Sequence, residues 1–332
     1  MVRPGISIVN RLYYAYARHA LVTALRMARV QPGDTVLIPH FICRDVLSSL
    51  RAVDAVPVFY HIDDDFQVAS HEKLPSAKAV LAVNYFGFPA NLARIQHQLI
   101  DATTLIIEDN AHGWLSTDEH GVALGTRTSL GITSFRKTIL SSDGAFLHWM
   151  SDQRLDYTAL HDPLSPRNGS LPIVVRLRRG ASRLERVTRL PVRLAVRELA
   201  RLGRRAIGRV AIVENPSEEF ELPLPRSVLK SSLKLMNNID ARAEISRRRT
   251  LFERSSNLAR RYGIQPVFDS LPNGVSPQGF PYYGGNGDER GFRRQVHLNR
   301  IGEPMSWPRL SQQSQIPTES VLHTVQLVNF IQ

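Results

Sequence analysis

The sequence predicts an α/β fold whose central sheet is mostly parallel and covered on both faces. Three observations carry this expectation. Short runs of four or five residues in the first 150 are apolar at almost every position rather than at every second one, as strands shielded on both sides must be. Segments of helical periodicity or helical length lie between several of these runs. The composition, 43% hydrophobic and 22% charged over 332 residues, is that of an ordinary globular chain.

The elements follow in order. Ala17 to Arg29 places Ala20, Leu21, Ala24, Leu25 and Met27 at helical spacing. Gln31-Pro32-Gly33-Asp34 is a turn, and Thr35-Val36-Leu37-Ile38-Pro39 a strand that stops at proline. Asp45 to Ala52 reads as a helix and Val56 to Tyr60 as a strand. Ala79 to Val83 and Thr104 to Ile107 are two further strands. Ligands of such sheets bind beyond the carboxyl ends of the strands, which marks His40, Asn84, Glu108 and Asp109. Asn238 to Tyr262 reads as one long helix, and Gly279 to Gly291, with five glycines, as a loop. Val321 to Ile331 reads as a helix followed by a strand.

Charge is distributed unevenly. The net +12 resides almost wholly in Arg167 to Arg209, which holds 13 Arg, no Lys and only Glu185 and Glu198, a net of +11. Within it, Arg189, Arg193, Arg197, Arg201 and Arg205 recur every fourth residue beside an apolar stripe from Leu190 to Val210. One reading is a surface for an anionic partner: a membrane leaflet, nucleic acid or a pyrophosphate-bearing substrate. The other is a solvated insertion whose apolar face packs on its own domain. The stretch has no aromatic residue, which disfavours stacking on single strands, and no motif points to specific nucleic-acid recognition. No run of about 18 apolar residues is present. The N-terminus lacks a signal-peptide core, and Cys43 stands alone, excluding an internal disulfide. These features lead to the expectation of a cytoplasmic protein.

Two stretches carry chemistry. Glu108-Asp109-Asn110-Ala111-His112 follows an apolar strand, where a buried carboxylate needs a cation or N–H partner. A protonated pyridine nitrogen is such a partner. A helix cap by Asp109 with a surface histidine is the plainer alternative. Ser134-Phe135-Arg136-Lys137 follows, then Asp143-Gly144-Ala145. The chain has only five lysines, so Lys137 is a candidate for a Schiff base rather than one more surface charge. Asp63-Asp64-Asp65 reads as an acidic turn rather than a metal cluster, and His61, His71, His97 and His120 lack ligand spacing.

Taken together, these stretches resemble the DegT/StrS family of pyridoxal-phosphate (PLP) sugar aminotransferases. Pro32 to Pro39 is similar to that family's Pro-Gly-Asp-Glu-Val-Ile-Val-Pro strand, and Val83-Asn84-Tyr85-Phe86-Gly87 to its strand and glycine turn. Glu108 to His112 resembles its Glu-Asp-Ala-Ala-His/Gln motif, and Arg247 to Phe252 its C-terminal Arg-Arg segment. Lys137 lies seven residues before Gly144, as the family's lysine does, although only three residues after Ser134 instead of five.

The resemblance implies a fold-type-I PLP-dependent transferase. Its large domain would span 1–213, with an Arg-rich insertion at 165–212, and a smaller C-terminal α/β domain would span 214–332. Lys137 would join the cofactor aldehyde and shuttle protons, Asp109 would pair with the pyridinium, and His112 would lie beside the ring. Arg18, Ser134 and the N–H groups of His19 and Ala20 would hold the phosphate. Cys43 stands where the family places a ring-stacking aromatic. The implied reaction moves an amino group from glutamate to a keto sugar, nucleotide-linked, in a homodimer. The alternative is an inactive or repurposed relative that acts as a binding protein at an anionic surface; peripheral membrane contact through 176–209 is a further expectation.

Overall fold

Seven strands form the main sheet of the computed structural model, which describes residues 10–160, 165–188, 219–224, 227–307 and 321–331. They are β1 (Asn10–Tyr14), β2 (Thr35–Pro39), β3 (Val56–Tyr60), β4 (Ala79–Val83), β5 (Leu105–Asn110), β6 (Leu130–Thr133) and β7 (Ala145–Trp149). The spatial order is β1-β7-β6-β5-β4-β2-β3. Pairing is parallel from β3 through β6 and antiparallel at β6–β7 and β7–β1. Every residue of β4 is buried, as its unbroken apolar run requires.

Helices α1 (Ala17–Met27), α2 (Asp45–Arg51) and α3 (Leu92–Gln98) accompany the parallel strands. Helix α1 buries Ala20, Leu21, Ala24, Leu25 and Met27, the residues its periodicity singles out, and packs on α2, β6 and β7. Further on come α4 (Ile173–Thr188), α5 (Lys230–Asn237), α6 (Ala241–Arg261) and α7 (Glu289–Leu298). A second, antiparallel sheet has β10 (Val325–Asn329) between β8 (Gly279–Tyr283) and β9 (Glu303–Ser306). A 3-10 turn at Val321–Thr324 precedes β10, as the tail's pattern predicts.

Three expectations are corrected. The span 279–291 is not a loop: β8 occupies its start and α7 its end. Gly279 is there for close approach, since a Cβ would meet the Val328 carbonyl oxygen at 2.3 Å. Strand β5 does not stop at Ile107 but runs through Asn110. It can do so because Arg127 pairs with Glu108 at 2.7 Å and Asn84 Nδ2 donates to Glu108 at 2.8 Å. The long helix begins at Ala241, where the Asp240 side chain accepts from the Ala243 N–H at 3.0 Å. The Leu190–Val210 stripe, the Arg-rich segment from residue 189 onward and the proposed boundary at 213 lie outside the described residues.

Late sequence is tied to early sequence at two points. Arg248, fully buried in α6, pairs with Glu244 at 2.7 Å and donates to the carbonyls of Pro277, Gln278 and Thr138. Asp143 accepts from Arg167, from the Ser232 hydroxyl and from the Leu229 N–H. No described helix is long and apolar enough to cross a membrane.

Candidate active site

The two chemistry-bearing stretches meet beside the end of β5. Asp109 sits near its end and is buried, with Oδ1 accepting the Ala111 N–H at 2.9 Å. Burial raises its carboxyl pKa, while that N–H and the nearby Lys137 ammonium oppose the rise. Lys137 ends a 3-10 turn, Phe135–Lys137, after β6. Its Nζ lies 3.2 Å from Nε2 of His112. Burial and the Lys137 charge hold the His112 imidazole far below its ordinary pKa, so it is neutral at neutral pH. The neutral ring accepts from the ammonium at Nε2, which places its hydrogen on Nδ1. That buried Nδ1 has no partner.

The turn that presents Lys137 depends on Gly144. This residue has φ +133°, and a Cβ there would meet the Phe135 ring at 2.1 Å. Its carbonyl accepts from Arg136 N and its N–H donates to the Ala15 carbonyl. The lysine turn, β7 and the entry to α1 are thereby held in one arrangement.

Residues of this group line a narrow cleft. Asp109, Ser134, Arg136 and Lys137 line it together with Tyr16, Ala17, Arg18, Cys43 and Asp45. The start of α1 opens toward it, and no side chain caps that helix. Its first amides and dipole therefore favour an anion. Arg18 pairs with Asp45 at 3.3 Å. Both Arg18 and Arg136 lie over the Tyr16 ring, at 5.5 and 5.2 Å from its centroid. The Ser134 hydroxyl and the Nε atoms of Arg18 and Arg136 are buried without partners.

Other candidates fall elsewhere. The His19 ring contacts the Pro223 carbonyl at 2.8 Å, and the His19 N–H donates to Tyr16 at 3.2 Å. Ala20 is wholly buried in α1 and, like His19, does not line the cleft. Cys43 does line it, and burial pushes its thiol up to about 11. His40 Nδ1 lies 3.1 Å from the Tyr60 carbonyl oxygen and 3.3 Å from the Ile62 nitrogen, so it bonds one or the other according to its tautomer. Asn84 and Glu108 belong to a buried network with Arg127. Asp63 and Asp65 form ion pairs with Arg94, and no cluster of metal-binding side chains exists among the described residues.

Arg136 and Tyr16 are cleft residues that sequence reasoning passed over. The adjacency of Arg136 to Lys137 was the available signal. Phe86 and Trp307, which flank the His112 ring at 6.3 and 5.1 Å, carried none, since Trp307 is nearly 200 residues away in the chain.

The donor set suits a phosphorylated aromatic aldehyde. An uncapped helix start with two arginines and a free hydroxyl matches a phosphate. A desolvated carboxylate beneath the cleft matches a ring cation, and a primary amine held by a neutral imidazole matches the aldehyde. PLP fits these residues.

Residues 14–157 match the model of the DegT/DnrJ/EryC1/StrS aminotransferase family. A UDP-N-acetyl-3-dehydro-alpha-D-glucosamine 3-aminotransferase of Acidithiobacillus ferrooxidans is 31% identical over 121 residues, 35% of this chain and 32% of that protein. The match thus spans about a third of that relative's length. The whole-chain fold is similar to PseC of Helicobacter pylori, an aminotransferase in pseudoaminic acid biosynthesis. Its TM-score is 0.62 at 14% identity, covering 96% of this chain and 81% of that one. It is also similar to Spr1654 of Streptococcus pneumoniae in its PLP form, with TM-score 0.57 at 15% identity over 97% and 82% of the two chains. The chain is a mixed α/β protein with the fold of these aminotransferases, and the part of it that matches the DegT/DnrJ/EryC1/StrS family model is residues 14–157.

Proposed function

We propose that this chain is a PLP-dependent aminotransferase that moves an amino group from glutamate to a keto group of a nucleotide-linked sugar, acting as a homodimer in glycan biosynthesis. The observation that carries the reading is the convergence of Lys137, Asp109 and His112 at the uncapped start of α1. The sugar aminotransferase relatives supply the substrate class.

When bound, PLP supplies an aldehyde that takes up the donor nitrogen and a protonated ring that withdraws electrons from the reacting carbon. This chain's residues do the rest. Asp109 keeps the ring nitrogen protonated, at the cost of its own burial. Lys137 Nζ would hold the cofactor through its aldehyde and would carry a proton to and from the substrate carbon. His112 accepts a hydrogen bond from that amine and keeps it aimed into the cleft. Ser134, Arg18, Arg136 and the α1 start bind the phosphate. Lys137 would move the proton in both the donor and the sugar half-reactions.

An absorption spectrum of the purified protein with added PLP, before and after excess glutamate, tests this. The expected result is a visible band that glutamate converts to one at shorter wavelength, with borohydride fixing the cofactor on Lys137. A protein that takes up no cofactor, or fixes it elsewhere, overturns the reading.

A further inference from the structure

We propose that α4 docks the protein onto an anionic lipid surface, lying in the headgroup plane with its apolar stripe inserted. The stripe is Ile173, Leu177 and Leu184, which are 70%, 64% and 51% exposed. Spacings of four and seven residues put all three on one side of the helix. Gly180 lies on the same side, and a Cβ there would meet no described atom within 4 Å. Three large aliphatic side chains exposed in one line are not what a solvated helix displays.

Charge selects the occupant. Helix α4 carries five Arg against Glu185, and it belongs to the segment that holds +11 of the chain's +12. Arg176 and Arg178 are exposed on α4 itself. An apolar stripe beside arginines matches a leaflet with acyl chains below and anionic headgroups above. Double-stranded nucleic acid would satisfy the arginines and leave the stripe in water. A second copy would bring the same positive charge against itself.

The helix is also attached to the catalytic side of the molecule. Arg179 donates to the Leu140 carbonyl at 3.1 Å, three residues beyond Lys137. A docked α4 would hold the lysine loop close to the membrane surface. This inference stands on α4 alone and does not depend on the aminotransferase reading.

The test is sedimentation of the full chain with phosphatidylcholine vesicles and with vesicles containing 30% phosphatidylglycerol. The expected result is at least tenfold greater retention on the anionic vesicles, reduced by added salt. A Leu177→Asp/Leu184→Asp double variant loses that retention, while an Arg176→Glu/Arg178→Glu variant loses it and its salt dependence. Both sites are exposed, and circular dichroism with a melting curve verifies folding. Absence of binding to anionic vesicles overturns the proposal. So does binding that survives the double Asp variant, retention on duplex DNA in place of vesicles, or a change of oligomeric state in the double Asp variant without vesicle binding.

Discussion

Nζ of Lys137 lies 3.2 Å from Nε2 of His112, a neutral acceptor enclosed by Phe86 and Trp307. The imidazole orients the amine without competing for its proton. Replacing His112 by Leu leaves the ammonium without this acceptor, and kcat is expected to fall about 100-fold, within the range of positioned acid–base groups. His112→Gln, which keeps an acceptor oxygen, is expected to retain more activity than His112→Leu. Steady-state kinetics of the two variants decide this.

Asp109 is expected to cost the empty protein stability. A carboxyl whose pKa is raised in the folded state holds its proton more tightly there than in the unfolded chain. Its contribution is favourable below the unfolded pKa and is lost as pH rises. Asp109→Asn preserves an acceptor for the Ala111 N–H and removes the buried charge. The variant should melt at a higher temperature without cofactor at pH 7 and transfer amino groups at least 100-fold more slowly. Calorimetry and single-turnover absorbance measure the two effects.

Ser134 and Arg136 present unpartnered polar atoms toward the helix start. Ser134→Ala and Arg136→Met should each weaken PLP binding by about 1.5–3 kcal/mol, the scale of a hydrogen bond to a charged group. The Ser134 variant should leave the cofactor-free melting temperature nearly unchanged, because no protein contact is lost. Titration with PLP followed by fluorescence gives the dissociation constants.

Gly144→Ala would place a methyl group 2.1 Å from the Phe135 ring in a backbone conformation that L side chains avoid. The lysine turn must shift to make room. A destabilisation of about 1–3 kcal/mol and loss of cofactor fixation on Lys137 are expected. Denaturant unfolding and mass spectrometry after borohydride reduction report each.

Acid should unfold the protein in a definite window. Burial lowers the pKa of His19, His40, His112 and His148, with His148 falling to about 3. The unfolded chain protonates these rings near 6.5 and the folded one refuses them. Their contribution is complete above pH 6.5 and is lost as pH falls toward 3. His148→Gln should reduce the steepness of stability against pH between 6 and 4, measured by urea midpoints across that range.

The parallel core was legible because β2, β3 and β4 are unbroken apolar runs bounded by turn residues. The full extent of β5 was not, since its last three residues are polar and stay in the strand only through partners such as Arg127, 19 residues from Glu108. Strand β6 is four residues with a glycine, too short to announce itself, and β8 was obscured by a glycine needed for strand contact. Asp109, His112 and Lys137 could be picked out by residue type and order. The cradle around them could not: Arg136 reads as one charge among many until its buried Nε and its place over Tyr16 are known.

The lysine loop is fastened by groups that lie far downstream: Arg248 on the Thr138 carbonyl, and Ser232 and Leu229 on Asp143. A nascent chain that has emerged only as far as β7 already owns the amine, the acid and the helix start. It does not yet own the clamps that fix their spacing. Competence to seize the cofactor should therefore arrive abruptly and late in synthesis, when α6 closes over the loop, rather than growing with each strand added.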